Sequence, residues 1–302
     1  MELALTRVPA LAAHAHRPRR VTELEGGLTN RILRVRFDGG PDVVVRLSDP
    51  ATALLAVDRE CEVANSRRAA AVGVAPQVLG HLPGEGVLVV DYIPSRTLTD
   101  ADVALDLDRV ADAVRTLHGA EPFEGVFDVF ELQRRYLALA REHGLEPPAG
   151  YDDLAATAAR VEAALAAHRP ARVSCHNDLL AANLLDDGER VRIIDFEYSG
   201  MGEAAFELGN LAQEAGLDDD ALAALVHAYE PDAARAEALL DRARLFVGAA
   251  AHAWTLWGVI QAGTSTLSFD FAGWAADKLD RAAERFADRG LGHLLDRVGA
   301  TR

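Results

Sequence analysis

In the segment 174–200, SCHNDLLAANLLDDGERVRIIDFEYSG, His176, Asn177 and Asp178 stand beside a run of leucines. Asn183 follows five residues after Asp178, and Asp195 closes the apolar run 191–194. Carboxylates among segments that must be buried are costly unless a cation or a hydrogen-bond donor answers them. Asp and Asn oxygens are the hard donors that Mg²⁺ prefers. A carboxylate left over can accept or orient the proton of an attacking hydroxyl. An Asp, an Asn five residues on and a second Asp at a strand end match the spacing of a phosphoryl-transfer catalytic loop. On that reading Asp178 is the base, and Asn183 and Asp195 hold the metal. Singly, each is a common turn or cap residue; together they read as catalytic.

Such a reaction needs its phosphates held by other residues. The stretch LEGGLTN (24–30), between strand-like segments, offers backbone N–H groups at Gly27, Thr29 and Asn30 as a phosphate-covering loop, though Gly-Gly alone is usually a turn. A strand-borne cation paired with a helix glutamate is also expected. Lys278 is the only lysine of the chain, so Arg46 in VVVRL must serve. Its partner is Glu62 or, as the less favoured choice, Glu60; the two lie about 200° apart on a helix, so only one can face a cleft. The third constellation is aromatic: Trp254, Trp257 and Trp274 are the chain's three tryptophans. Trp254, Trp257 and Gln261 share one helix face. Aromatic stripes are more often core, yet a tryptophan face suits a quaternary ammonium, which has no N–H to donate. With Glu214 as countercharge, these residues point to a cationic alcohol.

The elements positioning these residues read as a strand-rich N-terminal lobe, 1–92, and a larger helical lobe, 93–302. RILRVRF alternates, DGG turns, and DVVVRL returns. A helix follows over about 58–71, ended by Gly73 and Pro76; GVLVVDYI is a further strand, stopped by Pro94. LDRVADAVRTLH, DVFELQRRYLALAREHG and YDDLAATAARVEAALAAH carry helical periodicity. A short strand pair, 183–185 and 191–194, turns at DDGE. A chain of 302 residues, 50% hydrophobic, suffices for one large domain or two lobes. The net charge of −16 argues against nucleic acid as a partner. No apolar run is long enough to span a bilayer, and LTRVPALAAHAHRPRR lacks a signal-peptide core. Cys61 and Cys175, without a CxxC pattern, read as reduced thiols. The expected location is cytoplasmic, without membrane insertion.

With these segments in view, the chain resembles the choline/ethanolamine kinase family, within the wider aminoglycoside-phosphotransferase-like group of small-molecule kinases. CHNDLLAANLL and IDFEYSGMGEAAFELGN are close to that family's catalytic and metal-binding signatures. RECEVANSRRAAAVGVAP, GGLTNRILRV and VVVRL resemble its glutamate helix, phosphate loop and cation strand, and AWTLWGVIQA with FDFAGWAADKLDRA resembles the walls of its choline pocket. The resemblance implies an α+β, protein-kinase-like two-lobed fold and ATP-dependent, Mg²⁺-assisted phosphorylation of an amino alcohol. It makes Asp178 the base, Asn183 and Asp195 the metal ligands, and Arg46 with Glu62 the phosphate-positioning pair. It brings the backbone of Asp91 and Ile93 to adenine, and Glu214, Trp254, Trp257 and Trp274 to choline, with Glu197 an acidic neighbour of the metal. Glu207 stands where the family usually has Asp, Leu211-Ala212 where it has His-Phe, and AGLDDDALAAL replaces an aromatic-rich segment, so one cage wall is missing or supplied elsewhere. Choline is the first choice of acceptor; ethanolamine, thiamine or an aminoglycoside are alternatives, a nucleotide-binding pseudokinase scaffold is the reading from another class, and a homodimer is left open.

Overall fold

The structure, a computed structural model, describes residues 2–24, 30–48 and 57–300. It is a protein-kinase-like α+β fold. Five antiparallel strands form the N-terminal sheet: β1 (Arg19–Leu24), β2 (Asn30–Phe37), β3 (Asp42–Ser48), β4 (Val78–Leu82) and β5 (Val87–Asp91), in the order β1-β2-β3-β5-β4. The two-residue side-chain period of a strand decides what each face does. On β3, Val43 and Val45 bury into a core with Leu33, Val35 and Phe37, while Val44 and Arg46 face the cleft. Arg46 lies opposite Ile32 on β2 and Leu88 on β5, both also cleft residues.

Two helices missed in the sequence, α1 (Glu2–Arg7) and α2 (Pro9–Ala12), cover the core side of this sheet with Ala4, Leu5, Val8 and Leu11. β4 was also not foreseen. Its register against β5 shifts between Val78 and Gly80, where a Cβ on Gly80 would come 2.6 Å from Val8 Cγ1. Glycine there admits the N-terminal helix.

α3 (Arg59–Ala71) begins where Asp58 accepts the N–H groups of Glu60 and Cys61. Its far end joins the other lobe, since the Ile193 N–H donates to the Val74 carbonyl at 2.8 Å.

The chain then forms β6 (Arg96–Thr97), α4 (Asp100–Leu105), α5 (Leu107–His118), α6 (Val129–Glu142) and α7 (Ala155–Ala167). The segment that carries Asp178, Asn183 and Asp195 follows as β7 (Val173–Cys175), β8 (Leu184–Asp186), β9 (Val191–Ile193) and β10 (Gly200–Gly202). β8 and β9 pair antiparallel as expected, and β10 pairs β7. Five helices close the chain: α8 (Ala204–Glu214), α9 (Asp219–Tyr229), α10 (Ala233–Thr264), α11 (Phe271–Phe286) and α12 (Leu291–Ala300). By length and composition α10 is apolar enough to cross a membrane, contrary to the sequence expectation, but 94% of its most apolar window is buried inside the fold. It is the central core helix, packed by α8, α6 and α11.

Candidate active site

A cleft of about 500 Å³ runs between the sheet and the helical lobe. Its apolar lining includes Ile32, Val44, Ala75, Val90, Leu185 and Ile194; Asp178, Glu214 and the tryptophans line it as well.

The loop around His176, Asn177 and Asp178 is held by hydrogen bonds from several segments. Glu207 on α8 accepts the His176 N–H at 2.9 Å and the Asn177 N–H at 2.7 Å. This glutamate therefore fills the role of loop anchor at the position where an aspartate was expected. His176 bridges the two acidic segments: its Nε2 lies 2.8 Å from the Ile194 carbonyl, and its Nδ1 accepts the Asp178 N–H at 3.2 Å. Burial holds its pKa down at about 4, so the ring is neutral and Nε2–H donates. Asn177 donates to the Tyr198 carbonyl at 3.0 Å. Asn177 and Asp195 are the non-glycine residues with positive φ, 68° and 67°, among those described. Asx side chains tolerate that region best, and its occurrence on both acidic segments places backbone strain at the site.

Asn183 donates Nδ2–H to the Asp178 carbonyl at 2.9 Å, which leaves its amide oxygen for another partner. Asp195 lines the same cleft. An amide oxygen beside a carboxylate is a hard donor set suited to Mg²⁺. Burial, then Glu197, pushes the Asp195 carboxyl up to about 7 against the pull of Arg46. Asp178 is raised well above the carboxylate range by burial, then by Glu214, Glu197 and Asp195.

Arg46 pairs with Glu62 through Nη1, which also reaches Asp195 Oδ1 at 2.8 Å. Glu62 is the glutamate that turns inward, 1% exposed; Glu60 points out to His81 at 3.4 Å. Arg59, which sequence reasoning passed over, links Glu62 at 2.9 Å to Glu197 at 3.1 Å. Asn30 donates to Glu197 at 3.4 Å. Gly27 and Thr29 lie outside the described residues. Asp91 and Ile93 line the same cleft. The Asp91 and Tyr92 N–H groups donate to the Gln77 and Asp42 carbonyls at 3.0 Å, and the Ile93 N–H has no backbone partner among the described residues.

Trp254, Trp257 and Trp274 all line the cleft. Trp257 meets Trp274 edge-on with ring centroids 5.2 Å apart, and Trp254 anchors its indole N–H on Asn210 at 2.8 Å. The cleft draws no residue from 215–225, the segment that lacks the expected aromatics; Tyr198 lines it instead, edge-on to Trp254 at 5.2 Å. Its signal was an aromatic three residues past Asp195. Glu214 faces the cleft already engaged: Lys278 Nζ lies 2.7 Å from Oε2, and Gln213 donates to Oε1. Nothing in the sequence paired Lys278 with it.

The buried groups make stability depend on pH. Asp195 and Glu207 reach about 7 and Asp178 is raised further than the carboxylate range, in each case chiefly by burial, so the folded protein keeps protons that an unfolded chain has released. Stability therefore falls as pH rises through 7. Buried His118, His176 and His252, held down at about 3, 4 and 4, act oppositely, but only up to the ordinary histidine value near ~6.5. The melting temperature of the protein without nucleotide or metal is expected to drop between about pH 6.5 and 8; a rise over that interval contradicts the assignment.

The phosphotransferase enzyme family model matches residues 20–240. A solved choline/ethanolamine kinase family protein from Mesorhizobium loti is 30% identical, with 99% of this chain and 98% of that one covered and a TM-score of 0.82. Ethanolamine kinase 2 of Rattus norvegicus is 27% identical over 299 residues, 87% of this chain and 75% of its own. Protein LicA of Haemophilus influenzae is 29% identical over 212 residues, 68% of this chain but only 61% of that protein's length.

Proposed function

Because this chain belongs to the choline/ethanolamine kinases within the phosphotransferase enzyme family, we propose that it transfers the γ-phosphoryl group of ATP to the hydroxyl of choline. The observation that carries the choice of acceptor is a single cleft lined by Asp178, Trp254, Trp257 and Trp274 together with Arg46 and Asp195. Aromatic faces bind a poorly hydrated trimethylammonium, whereas a primary ammonium demands hydrogen-bond acceptors. The apolar lining at Val44, Ala75 and Leu185 takes the adenine, with the Ile93 N–H as donor. Arg46, held by Glu62, positions phosphate oxygens. Asp178 orients the choline hydroxyl and accepts its proton. Asn183 and Asp195 would hold Mg²⁺, which when bound neutralises charge on the phosphates. The free thiols of Cys61 and Cys175 accord with a cytoplasmic location as part of this reading.

Ethanolamine is the second acceptor to weigh, because Glu214 brings a carboxylate to the cleft. ADP release by the purified protein with Mg-ATP, measured across choline, ethanolamine, thiamine and an aminoglycoside, tests the reading: kcat/KM must be highest for choline. Trp257→Ala is expected to raise the choline KM about 10-fold or more, as loss of a desolvated cation–π contact of about 2 kcal/mol requires, with the ATP KM little changed. Equal effects on both would make Trp257 a core residue only.

A further inference from the structure

Lys278, on α11, lies against Glu214 and Trp274, which line the cleft, and is 3% exposed. Its ammonium lies 2.7 Å from Glu214 Oε2, 3.0 Å from Gln213 Oε1, and 4.8 Å from the centre of the Trp274 ring. The charged groups acting on it are Glu214, Asp178 and Arg281, the last tied to the Gln213 carbonyl at 2.7 Å. The chain therefore places its own primary ammonium in the surroundings an amino-alcohol headgroup would seek: a carboxylate, an amide oxygen and an aromatic face. Every other Lys/Arg position in this sequence is arginine. A compact ammonium concentrates its charge at one point, where a guanidinium fork would spread it.

We infer that Lys278 is a specificity-determining residue of the acceptor pocket, which occupies Glu214 and so excludes substrates that need that carboxylate. The inference rests on the proposed amino-alcohol kinase reading and deepens it. A primary ammonium entering the cleft gives up hydration and must recover N–H acceptors. Both Glu214 oxygens already accept, one from Lys278 and one from Gln213. An incoming ammonium would have to share that carboxylate with a cation that is covalently part of the protein and already neutralises its charge. A quaternary ammonium asks for no acceptor; the faces of Trp254 and Trp257 suffice, and neutralising Glu214 removes nothing specific to it. Lys278 touches Glu214 rather than the reacting atoms and acts on choice, not on chemistry.

The test is the ratio of kcat/KM for ethanolamine to that for choline, measured in the wild type, Lys278→Met, Lys278→Arg and Glu214→Gln. Lys278→Met frees the carboxylate and is expected to raise the ratio about 10-fold or more, chiefly through a lower ethanolamine KM. Lys278→Arg keeps a cation on Glu214 and must leave the ratio within about 3-fold of wild type. Glu214→Gln retains an amide oxygen for Lys278 and asks the same question where the methionine variant does not fold: the ratio must again stay within about 3-fold. An unchanged ratio in Lys278→Met, or a selective loss of ethanolamine turnover in Glu214→Gln, overturns the inference. A wild type that phosphorylates neither alcohol instead overturns the functional reading beneath it.

Discussion

Asp178→Ala is expected to lower kcat for choline phosphorylation by about 10²- to 10⁴-fold, the range carried by a positioned general base, with the ATP KM little affected. The same substitution is expected to hold or raise the melting temperature. Asp178 is a buried carboxyl whose ionised form is opposed by burial and by Glu214, Glu197 and Asp195, with Lys278 alone among its main influences acting the other way. Such a group costs stability and is retained for what it does at the reacting centre. Parallel kinetics and thermal unfolding separate the two possibilities: a merely structural aspartate loses activity and stability together, whereas a base loses activity alone.

Arg46→Ala is expected to be the most damaging single change in the N-terminal lobe. It strips the cation from Glu62, which is 1% exposed, and from Asp195, leaving Arg59 as the one remaining cation on Glu62 among the described residues. Breaking a buried ion pair by removing one partner costs about 3–5 kcal/mol, because an uncompensated charge stays inside. The urea midpoint falls accordingly, and kcat/KM for ATP falls with it as the phosphates lose their strand cation. Arg46→Lys should restore most of both. Arg46 reaches its two carboxylates through the single atom Nη1, and its Nε has no partner among the described residues, so a point charge at that place replaces most of what the guanidinium does. A lysine variant as unstable as the alanine one would show that the planar fork, not the charge, is what the site requires.

How far the sequence foretold this site follows from the range of each interaction. Asp178, Asn183 and Asp195 lie within one short hairpin-like segment, so their spacing alone brings them together around β8 and β9. Arg46 could be read because the period of two on β3 separates it from Val45, and Glu62 because the helix turn separates it from Glu60. Tryptophans one turn apart on α10 announced a shared face. The remaining features depend on contacts between distant segments. Lys278 meets Gln213 across 65 residues of chain and Arg59 meets Glu197 across 138, and no periodicity records such pairings. α1 and α2 were missed because six and four residues give too little repeat to read, and their burial against the sheet depends on Gly80 in another strand. Tyr198 was in view within the acidic segment, but only the packing of α10 turns it against Trp254.

The most direct measurement of the central claim follows the phosphorus itself. Wild-type protein incubated with Mg-ATP and choline is observed by ³¹P NMR beside the Asp178→Ala variant. The wild type must convert the γ-phosphate signal of ATP into a phosphomonoester of choline at a rate matching ADP formation, and the variant must not. Release of inorganic phosphate without that ester, or ester formation undiminished in Asp178→Ala, would contradict phosphoryl transfer to choline at this site.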